Sequence, residues 1–316
     1  MKKSKKLIII FTPIIILLCI ALIIPSNYLA NYALDTKFNG GIGVSSNTTN
    51  PEDLLTGSSE KIWLKETSED IYIKSHDGLK LHAYLLKNDT SYSNGNFIMI
   101  FHGYKGYAAS MAAYAMNFYD MGYSILMPDA RAHGLSEGRY IGMGWPERLD
   151  NLLWIEEILK LNSNAKIGLY GISMGGATVI NTAGEKNLPK QVVVAVEDCG
   201  YSSAMEQFSS QMKSRFNLPS FPLLNVASVI AQIKSGVNIR KCNCTEQSAK
   251  IKIPTLFIHG SADTFVPFEM LDKLYNAATC PKEKLVIENA GHGAASSTDP
   301  ALYWSTVERF IKDAMK

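Results

Sequence analysis

Residues 165–180 read Ala-Lys-Ile-Gly-Leu-Tyr-Gly-Ile-Ser-Met-Gly-Gly-Ala-Thr-Val-Ile, and this stretch decides the fold. A mostly apolar run ends at Tyr170, a serine between glycines follows, and a helix-compatible segment begins at Ala177. This order predicts a strand, a sharp turn and a helix, with Ser173 at the apex of the turn. The glycines allow a turn tight enough to hold the serine hydroxyl above the end of a sheet. Ser173 is therefore a candidate nucleophile.

On both sides of this turn, short apolar runs alternate with helix-length segments. Strands with two buried faces are apolar throughout and helical crossovers join parallel strands, so this order predicts an α/β fold with a mostly parallel sheet and helices on both faces. The residues around His76-Asp77-Gly78 predict a hairpin, so the domain is expected to open with antiparallel strands. The predicted buried strands are Phe97 to Phe101, Ser124 to Met127, Lys166 to Tyr170, Gln191 to Val196, Thr255 to Ile258 and Lys284 to Ile287.

One connection is too long for a simple crossover, because nearly 60 residues separate Val196 from Thr255. A stripe of methionine and phenylalanine at helical spacing runs through it, at Met205, Phe208, Met212 and Phe216. One interpretation is a helical lid over about residues 200–250, inserted after the sixth strand, and the other is an ordinary packed crossover. A lid would cover the carboxyl ends of the strands, where ligands bind in parallel sheets.

A serine hydroxyl is a weak nucleophile at neutral pH, so Ser173 needs a general base and an acid that orients the base. His292, flanked by glycines after the last predicted strand, is the candidate base. Asp263 follows the strand that ends at Ile258 and is the candidate acid, while Asp198 at the end of the preceding strand competes for this role. Ser173, Asp263 and His292 follow the order of nucleophile, acid and base known for this kind of sheet.

The negative charge that develops on an attacked carbonyl oxygen needs backbone N–H donors. The residue after the nucleophile, Met174, is expected to supply one donor. Tyr104, in the glycine-containing loop Phe101 to Gly106, is expected to supply the second.

Together these motifs resemble the α/β-hydrolase superfamily of serine hydrolases, and in particular its monoacylglycerol-lipase-like and serine-aminopeptidase-like groups. The resemblance covers about Lys61 to the C-terminus and implies an α/β-hydrolase fold with a Ser-His-Asp triad. It rests on Phe101-His102-Gly103, Asp129 to Ser136, Gly171 to Gly176, His259 to Pro267 and Gly291-His292. One departure is Ala132, where many relatives have glycine in Arg-Gly-His-Gly. That loop supports the site in the family and does not react.

The N-terminus has a different composition, because a strongly apolar stretch from Leu7 to Ile24 follows four lysines. About 18 residues make a helix of roughly 27 Å, close to the hydrocarbon thickness of a bilayer. The basic flank predicts a single-pass anchor in the cell membrane, with the N-terminus in the cytoplasm and the catalytic domain outside. The resemblance extends to bacterial membrane-anchored members, although here it is only compositional.

Two other interpretations of this stretch are open, a cleaved signal peptide and a lipoprotein signal with Cys19 lipidated. Both fit less well, because Tyr28 stands two positions before Ala30 where a small residue is expected, and Leu17-Leu18 lacks the small residue of a lipoprotein signal. Cleavage would give a secreted protein. We therefore predict an anchor over residues 1–30, a linker rich in small polar residues over 31–66 and a hydrolase domain over 67–316.

The overall composition bounds the function. With 316 residues, 47% apolar composition and a net charge of +2, the chain can bury a large core, and no basic run interleaved with aromatic residues points to nucleic acid. The five cysteines lack a metal-binding spacing, so neither metal nor cofactor is expected. They are Cys19, Cys199, Cys242, Cys244 and Cys280.

The sequence thus favours a serine hydrolase that cleaves small-molecule carboxylic esters through an acyl-enzyme, in the manner of an esterase or lipase. A serine peptidase is the alternative, and it would need an acidic site for a free amine, for which the lid offers only Glu206. A third hypothesis is a membrane-anchored scaffold that kept the fold without catalysis.

Overall fold

The computed structural model describes residues 2–38, 54–88 and 95–316, with the side chains of the first helix described from Thr12 onward. Eight strands form one central sheet. They are β1 (Glu69–Lys74), β2 (Lys80–Leu86), β3 (Phe97–Phe101), β4 (Ser124–Pro128), β5 (Ile167–Ile172), β6 (Val192–Asp198), β7 (Thr255–Gly260) and β8 (Lys282–Ile287).

The sheet order is β1-β2-β4-β3-β5-β6-β7-β8. β1 pairs antiparallel with β2, and β2 pairs antiparallel with β4. All later neighbours, from β4 and β3 to β7 and β8, are parallel. The predicted opening hairpin and the mostly parallel sheet of an α/β-hydrolase fold are therefore confirmed.

The helices alternate with the strands along the chain. They are α1 (Lys2–Leu34), α2 (Ser59–Thr67), α3 (Ala112–Asp120), α4 (Glu147–Leu161), α5 (Met174–Ala183), α6 (Ala204–Phe216), α7 (Leu223–Ser235), α8 (Cys244–Ser248), α9 (Glu269–Ala277), α10 (Ala295–Thr298) and α11 (Pro300–Ala314). Short 3₁₀ turns occur at Ala108–Met111 and Ile239–Lys241.

Two apolar cores cover the two faces of the sheet. Alternate side chains of β3 enter different cores, because successive residues of a strand point to opposite faces. Phe97 and Met99 join the core that holds Trp154 of α4, whereas Ile98 joins the core that holds Tyr303 of α11. Both faces are therefore buried, as the continuous apolar sequences of the central strands predicted.

The first 66 residues differ from the predicted division. Helix α1 continues through Pro25 to Leu34, so it does not end near residue 30. Helix α2 lies inside the predicted linker, and its Leu64 is fully buried in the core that also contains Tyr84 and Leu86. Within the predicted linker, residues 59–66 are therefore helical and packed on the domain through Leu64. Residues 39–53 of the predicted linker lie outside the described residues.

Helix α1 is also the one described helix that is long and apolar enough to cross a membrane, over Thr12–Leu34. Only 11% of its most apolar window is buried, which distinguishes it from the core helix of a soluble protein. A signal sequence near an N-terminus has the same length and composition.

Between β6 and β7 the chain is helical, as expected for the long connection, and it contains α6, α7 and α8. The apolar residues of the stripe in α6 differ in exposure. Met212 is buried, whereas Phe216 is exposed at the end of the helix. We call residues 204–235, which comprise α6, α7 and the turn between them, the lid.

Candidate active site

Ser173 occupies the sharp turn between β5 and α5. Its backbone has φ 59° and ψ −118°, a conformation that non-glycine residues rarely adopt and that marks strained functional turns. The Ser173 amide donates to the Asp198 carbonyl oxygen at 2.8 Å, which holds the turn against β6. A Cβ on Gly171 would collide with the backbone of Gly175, so this close packing requires glycine.

The structure brings the three predicted catalytic side chains into one hydrogen-bonded chain. Ser173 Oγ lies 2.8 Å from His292 Nε2, and His292 Nδ1 lies 2.7 Å from Asp263 Oδ2. Asp263 follows β7 and His292 follows β8, so all three residues lie at the carboxyl ends of parallel strands. This geometry suits transfer of a proton from Ser173 to the imidazole.

Asp263 is held as an anion. Burial opposes its ionisation, but hydrogen bonds from His259 and His292, together with the backbone amide of Val266, hold the pKa of Asp263 well below its ordinary value. An ionised Asp263 accepts the proton on His292 Nδ1, which leaves Nε2 of the neutral ring free to accept from Ser173. The carboxylate thus selects the productive tautomer of the imidazole.

Asp198, the competing acid, lies nearby but has other partners. Its Oδ2 accepts a hydrogen bond from the Tyr303 hydroxyl at 2.8 Å, and burial raises the pKa of this carboxyl to about 6. No hydrogen bond joins it to His292 within the described residues. The geometry therefore favours Asp263 over Asp198 as the orienting acid.

Two backbone amides flank Ser173 where the oxyanion donors are expected. Met174 is the first residue of α5, and amides of a first helical turn have no acceptor inside the helix. Tyr104 lies in the loop after β3, and the adjacent Gly103 approaches Ser173 so closely that a Cβ there would lie 3.5 Å from the serine Cβ. The Tyr104 amide donates to no acceptor in the described part of the chain. Both amides are thus available to an oxyanion.

The loops after β3 and β4 are joined by two buried histidines, His102 and His133. His102 Nε2 accepts from the Ala130 amide at 3.0 Å, and His133 Nε2 accepts from the Lys105 amide at 3.2 Å. Burial lowers the pKa of both rings, that of His133 to about 3, so both are neutral and can accept at Nε2. They fix the loop that carries Tyr104.

Ala132, the position where many relatives have glycine, has φ 64°. This left-handed conformation is strained for alanine and unstrained for glycine. Alanine in place of glycine at this position therefore strains the backbone of the loop that supports the site.

A cavity of about 300 Å³ opens beside Ser173, which is within the usual size of ligand sites. The lid supplies much of its wall, through Phe208, Met212, Phe216, Leu224, Ala227 and Ala231. The long connection therefore covers the site, which supports the lid interpretation over a plain crossover.

Helix α1 forms another part of the wall, which was not predicted from the sequence. Its lining residues are Leu29, Ala30, Tyr32, Ala33 and Leu34. The sequence did contain a signal for this packing, because the apolar residues at 29, 30, 33 and 34 form one face of a helix, with polar residues between them. The apolar stretch before them masked this shorter amphipathic pattern.

Several polar contacts fix α1 to the domain. The Tyr104 hydroxyl donates to the Ala33 carbonyl oxygen at 2.5 Å, and Ser26 Oγ donates to the Leu223 carbonyl oxygen at 3.1 Å. At the end of the helix, Arg139 forms a two-pronged ion pair with Asp35, at 2.8 and 3.0 Å. The last turns of α1 are therefore part of the hydrolase domain.

One group of described residues could offer ligands to a metal ion, because donor atoms of Cys199, Asp263 and His292 lie within 4.8 Å of one another. Both nitrogens of His292 are already engaged with Asp263 and Ser173. Burial raises the pKa of the Cys199 thiol, and a protonated thiol is a poor ligand. The hydrogen-bonded chain accounts for this group better than a metal does.

Comparisons with known proteins agree with this architecture. Residues 93–197 match the family model described as serine aminopeptidase, S33, and residues 155–294 match the model described as serine hydrolase (FSH1). The uncharacterized protein YqkD of Bacillus subtilis is 30% identical over 218 residues, covering 68% of this chain and 71% of that protein. YisY of the same organism, described as an AB hydrolase superfamily protein, is 24% identical over 71% of this chain and 92% of its own length.

Among solved structures, the esterase Pf2001 of Pyrococcus furiosus superposes with a TM-score of 0.65 and 26% identity, covering 86% of this chain and 96% of that one. The eight-stranded sheet, the strained serine turn and these matches lead to one assignment. The chain belongs to the α/β-hydrolase superfamily of serine hydrolases.

Proposed function

We propose that this protein is a membrane-anchored esterase that hydrolyses carboxylic esters through an acyl-enzyme on Ser173. The observation that carries the proposal is the hydrogen-bonded chain from Ser173 through His292 to Asp263, placed beside an apolar cavity. An ester carbonyl in that cavity would lie next to a serine whose proton has an acceptor 2.8 Å away.

The mechanism follows from these contacts. His292 Nε2 takes the proton of Ser173 while Oγ attacks the ester carbonyl, and the amides of Tyr104 and Met174 stabilise the oxyanion. The protonated imidazole, held by Asp263, gives its proton to the departing alcohol oxygen as the C–O bond breaks. A water molecule activated by His292 then attacks the acyl-enzyme, and the carboxylic acid leaves.

The wall of the cavity favours esters over peptides. An aminopeptidase must neutralise a free ammonium group, but none of the described residues that line the cavity is acidic. Glu206, the acid that the sequence offered for this role, forms an ion pair with Lys273 at 2.8 Å and is absent from the lining. The described lining therefore offers no negative charge for a peptide's ammonium group, which supports ester hydrolysis, although one matching family model carries an aminopeptidase description.

The contacts of α1 support an uncleaved anchor. Cleavage near Ala30 would remove the Ser26 contact with the lid and part of the cavity wall. The lysines before the apolar stretch favour a cytoplasmic N-terminus, which would place Ser173 outside the cell membrane.

Labelling of the full-length protein by a fluorophosphonate, combined with hydrolysis of nitrophenyl esters and aminoacyl-nitroanilides, tests the proposal. We expect labelling and ester hydrolysis in the wild type, and neither in Ser173→Ala. Ser214→Ala, which changes an exposed serine on α6, serves as the matched control and should behave like the wild type.

Folded protein that is neither labelled nor active would support the scaffold hypothesis instead. Faster cleavage of the nitroanilides than of the esters would support the peptidase. Cell fractionation with an antibody against the C-terminus checks the anchor, since a cleaved protein would appear in the medium.

A further inference from the structure

The cavity beside Ser173 has an apolar part and a cationic part. Its apolar part is lined by the last turns of α1, including Ala30 and Leu34, and by the lid, including Leu224 and Ala227. The two alanines, Ala30 and Ala227, leave room that larger side chains would fill. A cavity of about 300 Å³ with this apolar lining suits one acyl chain.

The cationic part consists of Lys105, in the loop after β3, and Arg215, near the end of α6. No carboxylate lies within ion-pair distance of either side chain among the described residues. Arg215 contacts neutral groups instead, a hydrogen bond to the Gln211 side chain at 2.8 Å and the ring of Phe265 at 5.6 Å. Phe265 in turn packs on the His292 ring at 4.8 Å, so Arg215 lies close to the catalytic chain.

The two cations also affect each other. Burial and the charge of Arg215 lower the pKa of Lys105 to about 8, so Lys105 is still mostly charged near neutral pH. Two neighbouring positive charges without an acidic partner destabilise the empty site. An anionic group bound between them would remove that repulsion and gain charge-assisted hydrogen bonds.

The position of the lid relative to α1 indicates where such a ligand comes from. Phe216 packs against Tyr32, and Leu223 contacts Ser26, so the turn between α6 and α7 extends along α1 toward its apolar half. Ser26 follows directly on the apolar stretch, at the level where an anchored helix leaves the hydrocarbon layer. Phe221, in this turn, is 75% exposed. If α1 is the anchor proposed above, the cavity lies where α1 leaves the bilayer.

We propose that the substrate is a single-chain acyl ester with a negative charge on its alcohol portion, such as an anionic lysophospholipid, taken from the leaflet in which α1 is anchored. This inference rests on the esterase function proposed above. The acyl chain occupies the cleft between α1 and the lid, and Lys105 and Arg215 bind the anionic group. Hydrolysis breaks the ester C–O bond. The anionic alcohol leaves first with a proton from His292, and water then releases the fatty acid from its acyl bond to Ser173.

The charge requirement is tested with full-length protein in phosphatidylcholine vesicles. The probes are dodecanoyl lysophosphatidylglycerol and dodecanoyl glycerol, which share an acyl chain and differ in charge. We expect the wild type to prefer the anionic ester, and Arg215→Gln and Lys105→Gln each to lower the ratio of the two kcat/KM values about tenfold, as loss of one charged hydrogen bond would. Lys213→Gln, an exposed change on the same helix, should leave the ratio at the wild-type value.

The cleft is tested by a matched pair on α1. Ala30→Phe, which fills the cleft, should lower the ratio of dodecanoyl to acetyl ester hydrolysis by about tenfold or more, because several methylene groups lose their binding surface. Ala21→Phe makes the same change on an exposed part of the same helix and should keep the ratio. A soluble probe, the butanoyl ester of glycerol phosphate, distinguishes a membrane source from a soluble one.

Several outcomes would overturn the inference. They are a preference for the neutral ester, an unchanged charge ratio in both Gln variants, and faster turnover of the soluble phosphate ester than of the lipid in vesicles. A failure of the esterase function itself looks different, because nitrophenyl acetate would then remain intact and Ser173→Ala would change nothing.

Discussion

The carboxyl edge of the sheet and the cleft between α1 and the lid border the same cavity but are built differently. At the sheet edge, each functional group is fixed by several hydrogen bonds. Asp263, for example, accepts from His292 and from the amides of Phe265 and Val266. At the cleft, the walls are apolar side chains, joined by a few polar contacts such as that between Ser26 and Leu223.

Under the function proposed above, this difference separates the chemical step from the choice of substrate. A proton-transfer chain tolerates little displacement, so it lies on strand ends with short, hydrogen-bonded loops. An apolar cleft gains from packing that has no directional requirement, so it can be made of helices far apart in the sequence. Changes at the edge should alter the rate of reaction on every ester, and changes at the cleft should alter which ester reacts.

The largest effect is expected at the sheet edge. Asp263→Asn should lower kcat by about 10⁴-fold for all esters, because the amide no longer selects the productive tautomer of His292. Asp198→Asn is the matched control, since Asp198 bonds Tyr303 and not the imidazole. Steady-state kinetics on a short and a long ester measure both variants. Equal losses in the two variants would contradict the assignment of the acid.

Glu197, near the end of β6, should make the stability of the protein depend on pH. Burial raises its pKa from the ordinary 4.5 to about 8, so the folded state binds more protons than the unfolded state between these values. The free energy of unfolding should therefore fall as pH rises from about 4.5 to about 8, by on the order of 4 kcal/mol. Glu197→Gln resembles the protonated carboxyl and should make this slope less steep, while Asp198, whose pKa is raised to about 6, keeps its own contribution.

Urea unfolding in detergent between these pH values measures the effect. Glu156→Gln, an exposed change on α4, is the control and should keep the wild-type slope. Equal slopes in the wild type and in Glu197→Gln would contradict the raised pKa of Glu197.

A smaller effect is expected at the membrane side of the lid. Phe221→Ser should lower the ratio of vesicle-borne to soluble ester hydrolysis about fivefold, because under the proposal above this exposed aromatic ring contacts the bilayer and serine would lose that apolar contact. Ile233→Ser is the matched control, because Ile233 is equally exposed, at 78%, but lies at the end of α7 beside Lys234, which binds Asn31. Equal losses in both variants would show that the turn has no special contact with the membrane.

The smallest effect concerns the loop that supports the edge. Ala132→Gly should raise the free energy of unfolding by about 0.5 to 1 kcal/mol, since it relieves a left-handed alanine at φ 64°. Ala130→Gly, nearby at an ordinary backbone conformation, should instead destabilise the protein by about the same amount. Thermal unfolding compares the pair, and stabilisation by both changes would contradict the strain at Ala132.

Much of the edge could be predicted from the sequence. Buried strands are continuous apolar runs, and the loops after them share one edge of a parallel sheet, so Ser173, Asp263 and His292 were expected to meet. The amides of Met174 and Tyr104 were expected beside them for the same reason. These predictions depend on local patterns and chain order, which are present in one sequence.

The sequence alone determined the fold, the nucleophile turn and the set of groups that could act with it. Only the tertiary structure showed that Asp263, and not Asp198, bonds the imidazole, and only it showed that the last turns of α1 also line the cavity. It also placed Lys105 and Arg215 in the same cavity as Ser173. The physical reason is that the burial and orientation of a side chain depend on packing between distant segments. Ser26 and Leu223, for example, are hydrogen-bonded and 197 residues apart.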